Sequence, residues 1–225
     1  RMAYLLQMCS NNLNQYAKRA NECGKVYAAD MEDLRQRLDE LERAVLEEHT
    51  RAERLQLQTV LSISNALDIA LSEADLAQIK EELMQSGYIR RKHTKKKVKL
   101  TSKPMHYISS DGYDMYVGKN NLQNEELTFS FANGNDWWFH AKGAPGSHVI
   151  VKSGGDELPD RTFEEAGRLA AYYSKNRGAD KVEIDYIQKK HVKKPNGAKP
   201  GFVVYYTNYS LVIDSDISNI KNVQD

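Results

Sequence analysis

Cysteine is scarce in this chain. There are two in 225 residues, Cys9 and Cys23, and none beyond. They lack the spacing of a metal-type CxxC pair, and the C-terminal part holds no thiol nucleophile. The natural reading is a reduced, cytoplasmic chain. No run of about 18 apolar residues occurs, which excludes a helical membrane span. No charged-then-apolar leader is present, so no secretory signal is expected. There is no P-loop, and Gly112 and Gly118 do not make GxGxxG. Gly146-Ser147-His148 lacks the second glycine of a nucleophile elbow. A carboxylate pair is always available among 31 Asp and Glu, so it carries no signal. The expectation is a protein that is not an enzyme and needs no cofactor.

Residues 4–71 contain no proline and one glycine, Gly24. Met2, Leu6, Cys9, Leu13, Tyr16, Ala20, Cys23 and Tyr27 follow alternating steps of four and three. Met31, Leu34, Leu38, Leu41 and Val45 continue the pattern after a stutter. Charged residues such as Asp33, Arg35, Arg37, Glu40 and Glu42 fill the positions between. This pattern predicts a long coiled-coil helix with a second apolar set at Leu55, Val60, Ile63, Leu67 and Leu71. One such helix cannot bury its seam alone. It needs a missing segment of the same protein, a second copy in a homodimer, or a folded-back part of the arm. The pattern is already running at Arg1, so the sequence is expected to be a piece of a longer protein. Ser72 and Asp75 then suit a capping box opening a short helix to Met84, which stops at Gly87.

The net charge of +1 hides an asymmetry. Residues 1–89 carry 10 Lys/Arg against 15 Asp/Glu; residues 90–225 carry 22 against 16. The basic, partner-facing surface should therefore lie C-terminally. Residues 90–99 hold seven Lys/Arg, including Lys95, Lys96 and Lys97. That run reads as a solvated tether, a phosphate-binding strip, or both. Residues 189–201 form a second basic stretch, with Lys193, Lys194 and Lys199, in a Pro/Gly-rich loop.

From Pro104 the pattern changes to strands. Met105–Ser109 and Met115–Gly118 flank an Asp-Gly turn. Leu122–Leu127 reads as a short helix capped by Asn120 or Asn121. Asp160–Asn176 is a helix with Phe163, Ala166, Leu169, Ala170 and Tyr173 on one face. Lys181–Gln188, Phe202–Thr207 and Leu211–Ile213 read as further strands. The fold class is α+β: a long N-terminal coiled-coil helix, then a compact mixed or antiparallel sheet domain with one main helix. The domains fall at 1–89 (arm), 90–103 (basic linker) and 104–225.

Between these elements lies Asp136–Val151. It places Trp137, Trp138, Phe139, His140 and His148 around a Pro-Gly turn, and reads as strand, tight turn, strand. His140 and His148 with Asp136 make a thin ligand set, and Lys142 nearby disfavours a cation, so no metal is expected. Nucleic acid fits better. His140, Lys142, Ser147 and His148 supply donors, and Trp137, Trp138, Phe139, Tyr113, Tyr116 and Tyr172 supply ring faces. Strand alternation leaves at most one of Trp137 and Trp138 free to stack.

Gly118-Lys119-Asn120-Asn121-Leu122-Gln123-Asn124, Asp136–Lys142, Pro145–Val149, Glu165–Ser174, Asp185-Tyr186 and Val192–Gly201 together resemble the NFACT-R domain. The arm residues Tyr16–Arg19 and Ile79–Ile89 resemble the second coiled-coil helix of the same proteins. The family comprises RqcH-type proteins, often labelled fibronectin-binding proteins. The resemblance implies an RNA-binding module of a ribosome-associated quality-control factor. Such proteins bind stalled large ribosomal subunits and recruit tRNA, alanyl-tRNA in bacteria, for template-free C-terminal tailing. The residues it carries over as nucleic-acid contacts are Asn120, Asn121, His140, Lys142, Ser147, His148, Lys193 and Lys194. The implied partners are the large subunit, tRNA and a coiled-coil partner helix, with fibronectin as the alternative. The family's N-terminal domain, helix-hairpin-helix and first coiled-coil helix have no counterpart in this sequence.

Overall fold

In a computed structural model, the described residues are 57–87 and 102–223, with Thr50, Ala52 and Leu55. The seam of residues 2–45, both cysteines and the basic run 90–99 lie outside them. The chain divides between Gln58 and Thr59, and the second unit carries the elements below.

Helix α1 (57–69) buries Ile63, Ala66 and Ile69. Of the second apolar set only Ile63 is buried; Leu55, Val60, Leu67 and Leu71 are exposed. Asn65 and Ala66 lie on the buried face, and Ile63 and Ala66 pack with Ile79, Ala70 and Leu83. Small and polar residues let neighbouring backbone approach, which a helical wheel scored by hydrophobicity overlooks. Helix α2 (Glu73–Gln85) begins with both halves of the capping box. The Asp75 amide donates to Ser72 Oγ at 3.2 Å, and the Ser72 amide donates to Asp75 Oδ2 at 3.0 Å.

Seven strands follow, all pairing antiparallel: β1 (Met105–Ile108), β2 (Asp114–Val117), β3 (Trp137–Ala141), β4 (Val149–Val151), β5 (Val182–Gln188), β6 (Tyr209–Ile213) and β7 (Lys221–Asn222). Their order is β6-β5-β3-β4-β2-β1-β7. Helix α3 (Asn121–Glu126) runs into one π-helical turn, Leu127–Phe131. Helix α4 (Asp160–Tyr172) is the longest helix of the sheet region. The architecture is α+β.

Both faces of the sheet are covered, and residue parity decides which face each side chain joins. Met105, Tyr107, Met115, Val117, Phe139, Val149, Val151 and Ile184 form the core under α4 with Ala166, Leu169 and Ala170. Trp138, Ile150 and Ile187 point the other way and pack with Leu127, Val192, Val203 and Tyr205. Trp138 is fully buried, and Trp137 is half-buried against Phe163 at 4.8 Å.

Two sequence expectations change here. The connection between β3 and β4 is not a tight turn: it spans 142–148, and its Gly146 bridges to Ser174 beyond α4. The Ser147 amide donates to the Tyr173 carbonyl at 3.0 Å, and the Lys175 amide to the Pro145 carbonyl at 2.9 Å. Nor is Phe202–Thr207 a sheet strand. The outer edge of β5 is already taken by β6, so this segment makes only one bridge, Lys193 to Val204.

Phe139 is fully buried at the centre of the larger core. Phe139→Ala is expected to lower the unfolding free energy by about 3–5 kcal/mol. Urea denaturation followed by fluorescence checks this.

Candidate nucleic-acid interface

The Gly118–Asn124 motif folds into the start of α3, and there it holds α1 and α2 rather than solvent. Asn120 is the N-cap of α3, its Oδ1 accepting from the Gln123 amide at 3.0 Å. Its Nδ2 donates to Gln78 Oε1 at 2.9 Å, and Gln123 Nε2 donates to the same oxygen at 2.7 Å. Asn121 Nδ2 donates to Glu82 Oε1 at 2.6 Å, and Ser62 Oγ donates to Asn121 Oδ1 at 3.0 Å. Lys119 pairs with Asp75 at 3.2 Å, with side chains only 9% and 1% exposed. Burial opposes the charge on Asp75. Hydrogen bonds from Ser102, the Leu71 amide, Lys119 and Ser72 nonetheless hold its carboxyl below the ordinary range. Burial pushes Glu82 up, partly offset by Asn121.

The far end of α3 grips the basic loop. Glu125 accepts from Lys194 Nζ and, at 3.0 Å, from the Gly201 amide. Gly201 has φ +75°, and a Cβ there would lie 2.8 Å from Asn121 Oδ1, so no larger residue fits. Gly118 is equally constrained, with Asn124 Oδ1 at 2.2 Å from a Cβ.

His140 and His148 face each other across the mouth of the β3–β4 connection, ring centroids 5.5 Å apart. His148 is buried; its Nδ1 meets Thr128 Oγ1 at 2.8 Å, and its amide donates to Asn124 Oδ1 at 2.9 Å. Its ring packs edge-on to Trp138 at 5.1 Å, and His140 stacks on the same indole at 5.6 Å. Burial lowers the pKa of His140 to about 4, against weaker opposition from Asp185 and the Gly146 backbone. Burial and the neighbouring His140 hold His148 well below 6.5. Both rings are neutral at pH 7 and brace the connection. Asp136 is at the other end of β3, taken by Lys152 at 2.5 Å and by the amides of Asn133 and Ser153. It does not converge with the histidines.

The remaining sequence candidates separate by charge pairing. Ser147 is buried and lines a polar cavity of about 10 Å³ with Asn65, Lys119 and Asn121, room for one water. Lys142 is exposed and paired with Glu183 at 2.5 Å; Lys194 is paired with Glu125. Lys199 donates to Thr59 Oγ1 at 3.2 Å. Lys193 is exposed, and among the described residues it has no carboxylate partner. Lys95, Lys96 and Lys97 lie outside the described residues. Of the six aromatics, Trp138 and Phe139 are buried. Tyr116 stacks on His106 at 4.4 Å, and Tyr172 lies under the Arg177 guanidinium at 3.7 Å.

Lys189 and Lys190 join Lys193 as lysines without a carboxylate partner among the described residues, and His191 lies between them. Sequence reading noted this basic stretch but did not single these two out. The signal was available in the absence of acids from 189–201. Lysines without local counter-charge present the strongest positive field to a polyanion.

These three lysines lie within five residues of one another on an antiparallel α+β domain. Residues 103–207 match the family described as "NFACT protein RNA binding domain". This matched domain belongs to the NFACT family. It is 41% identical over 178 residues to the Rqc2 homolog RqcH of Streptococcus pneumoniae, covering 79% of this chain and 31% of that protein. The Bacillus subtilis Rqc2 homolog RqcH is 39% identical over 182 residues, with the same two coverages. The chain thus spans about a third of the length of these relatives. The solved structure of the C-terminal of the fibronectin/fibrinogen-binding protein from Streptococcus suis superposes with a TM-score of 0.73. It is 29% identical, covering 98% of this chain and 95% of that one.

Two outcomes follow from these contacts. Lys119→Met strands the Asp75 carboxylate and is expected to cost about 3 kcal/mol or more. Adding Asp75→Asn should return part of that loss in denaturant titrations. The histidines give a pH dependence. Folded, they stay neutral; unfolded, they protonate at their ordinary value of 6.5. The unfolded state therefore binds more protons, and stability falls as pH drops from about 6.5 toward 4. Urea midpoints across that window should show the decline, and His140→Gln should flatten part of it.

Proposed function

We propose that this chain is the RNA- and ribosome-contacting part of a ribosome-associated quality-control factor, and is not itself an enzyme. The observation that carries the reading is the lysine cluster at 189–193, set without local acids on a domain of an RNA-binding family. On this reading the lysines take backbone phosphates of RNA on the large ribosomal subunit or of tRNA. The buried Asn120, Ser147 and His148 and the half-buried Asn121 support that surface from behind. The relatives' names point to the same role, with tRNA recruitment for C-terminal tailing belonging to the whole protein. The factor works in the cytoplasm, and the coiled-coil arm read from the sequence at residues 4–71 pairs with a partner helix, either a missing segment of the same protein or a second copy.

A second reading is fibronectin binding, favoured by the likeness to the Streptococcus suis protein. The two separate by salt and by ligand. Binding of the chain to purified large subunits and to tRNA should weaken steeply with salt. Lys190→Glu with Lys193→Glu should weaken it at least tenfold and reduce the log–log salt slope by roughly 1.5–2. Unchanged affinity and slope, with retained binding to immobilised fibronectin, would favour the second reading.

A further inference from the structure

The segment after the basic loop exposes two large aromatics that the lysine cluster does not explain. Tyr206 is 86% exposed and Phe202 is 42% exposed. Exposed aromatics on a mobile loop would mean little, but this segment is pinned. Lys193 and Val204 exchange both backbone hydrogen bonds, at 2.9 and 2.8 Å. Val203 and Tyr205 pack inward against Trp138, Ile187 and Val192. Tyr205 Oη donates to Asp185 Oδ2 at 2.8 Å.

Around that bridge Val203 and Tyr205 are the residues packed inward, while Phe202 and Tyr206 are exposed. A bridged pair shares one face, so Lys193 projects on the same side as Val204. Phe202 and Tyr206 lie two residues to either side of Val204, so the two exposed rings flank the bridge along the chain. A cation between two exposed rings on an ordered backbone offers a phosphate contact flanked by two stacking faces. Because Val203 and Tyr205 fix the backbone, little ordering entropy opposes binding. Duplex RNA presents no free base faces, whereas unpaired nucleotides do.

We propose that Phe202 and Tyr206 stack unpaired bases of single-stranded RNA, with Lys193 on the intervening backbone and Lys189 and Lys190 extending the phosphate track. This rests on the RNA reading above and narrows it to unpaired segments. The exposed Tyr209 is a separate case, because it stacks on Tyr186 at 5.5 Å beside Trp137 on the other face of the sheet.

The test compares an oligouridylate with a blunt RNA duplex carrying the same number of phosphates, using the full chain. Phe202→Ala with Tyr206→Ala should weaken oligouridylate binding at least tenfold while leaving duplex affinity and the salt slope unchanged. Tyr206→Phe alone should bind like the parent, since a ring face suffices. Tyr206 is 86% exposed, so Tyr206→Ala alone should leave the melting temperature unchanged while weakening oligouridylate binding. Equal loss on both RNAs, or no loss on the single strand, overturns the stacking proposal while the lysine reading stands. Failure of the parent chain to bind either RNA overturns both.

Discussion

Burying Lys119 against Asp75 is the constraint around which the domain's first half is arranged. A desolvated ion pair is tolerated only when its remaining hydrogen-bonding capacity is met. Here Asp75 is already committed to capping α2, and Ser102 and the Leu71 amide complete its shell. Gln78, Asn120 and Gln123 extend the network on one side, and Glu82, Asn121 and Ser62 on the other. The six-residue α3 sits between this network and the basic loop, gripping one with Asn121 and the other with Glu125. A short helix with few apolar contacts of its own is thus held by its two ends.

The second organising feature is the indole of Trp138. Four partners bear on it: His140, His148, Tyr205 and the aliphatic residues of the smaller core. The neutral histidines fill space next to the ring, and His148 ties the β3–β4 connection to α3 through Asn124 and to the following π-helical turn through Thr128. The lysines without a carboxylate partner among the described residues lie elsewhere, at 189–193.

Local signals were legible where local chemistry decides. The Ser72/Asp75 capping box, the Asn120 cap and the parity of Trp137 and Trp138 all follow from backbone requirements or strand alternation. The sheet itself, its order and the two-residue β7 depend on distant pairings that no local pattern records. Of the apolar set at the end of the arm, Ile63 meets the rest of the described fold, together with Asn65 and Ala66, while Leu67 stays exposed. Residues 202–207 alternate like a strand yet had no free edge to join. Among the candidate contacts, polar identity alone could not separate Asn120, which is buried among amides, from Lys193, which is exposed and has no carboxylate partner among the described residues. That distinction exists only once the acids Asp75, Glu82, Glu125 and Glu183 have chosen their partners.

The sheet order has one further consequence. β1 and β7, the first and last strands, are neighbours, with Tyr107 opposite Asn222 and Ile108 opposite Lys221. The chain therefore enters and leaves the sheet at a single edge. A domain built this way tolerates having its ends fused and a new break opened in a surface loop. It can also be carried as an insert on a two-stranded stem without disturbing strand pairing elsewhere.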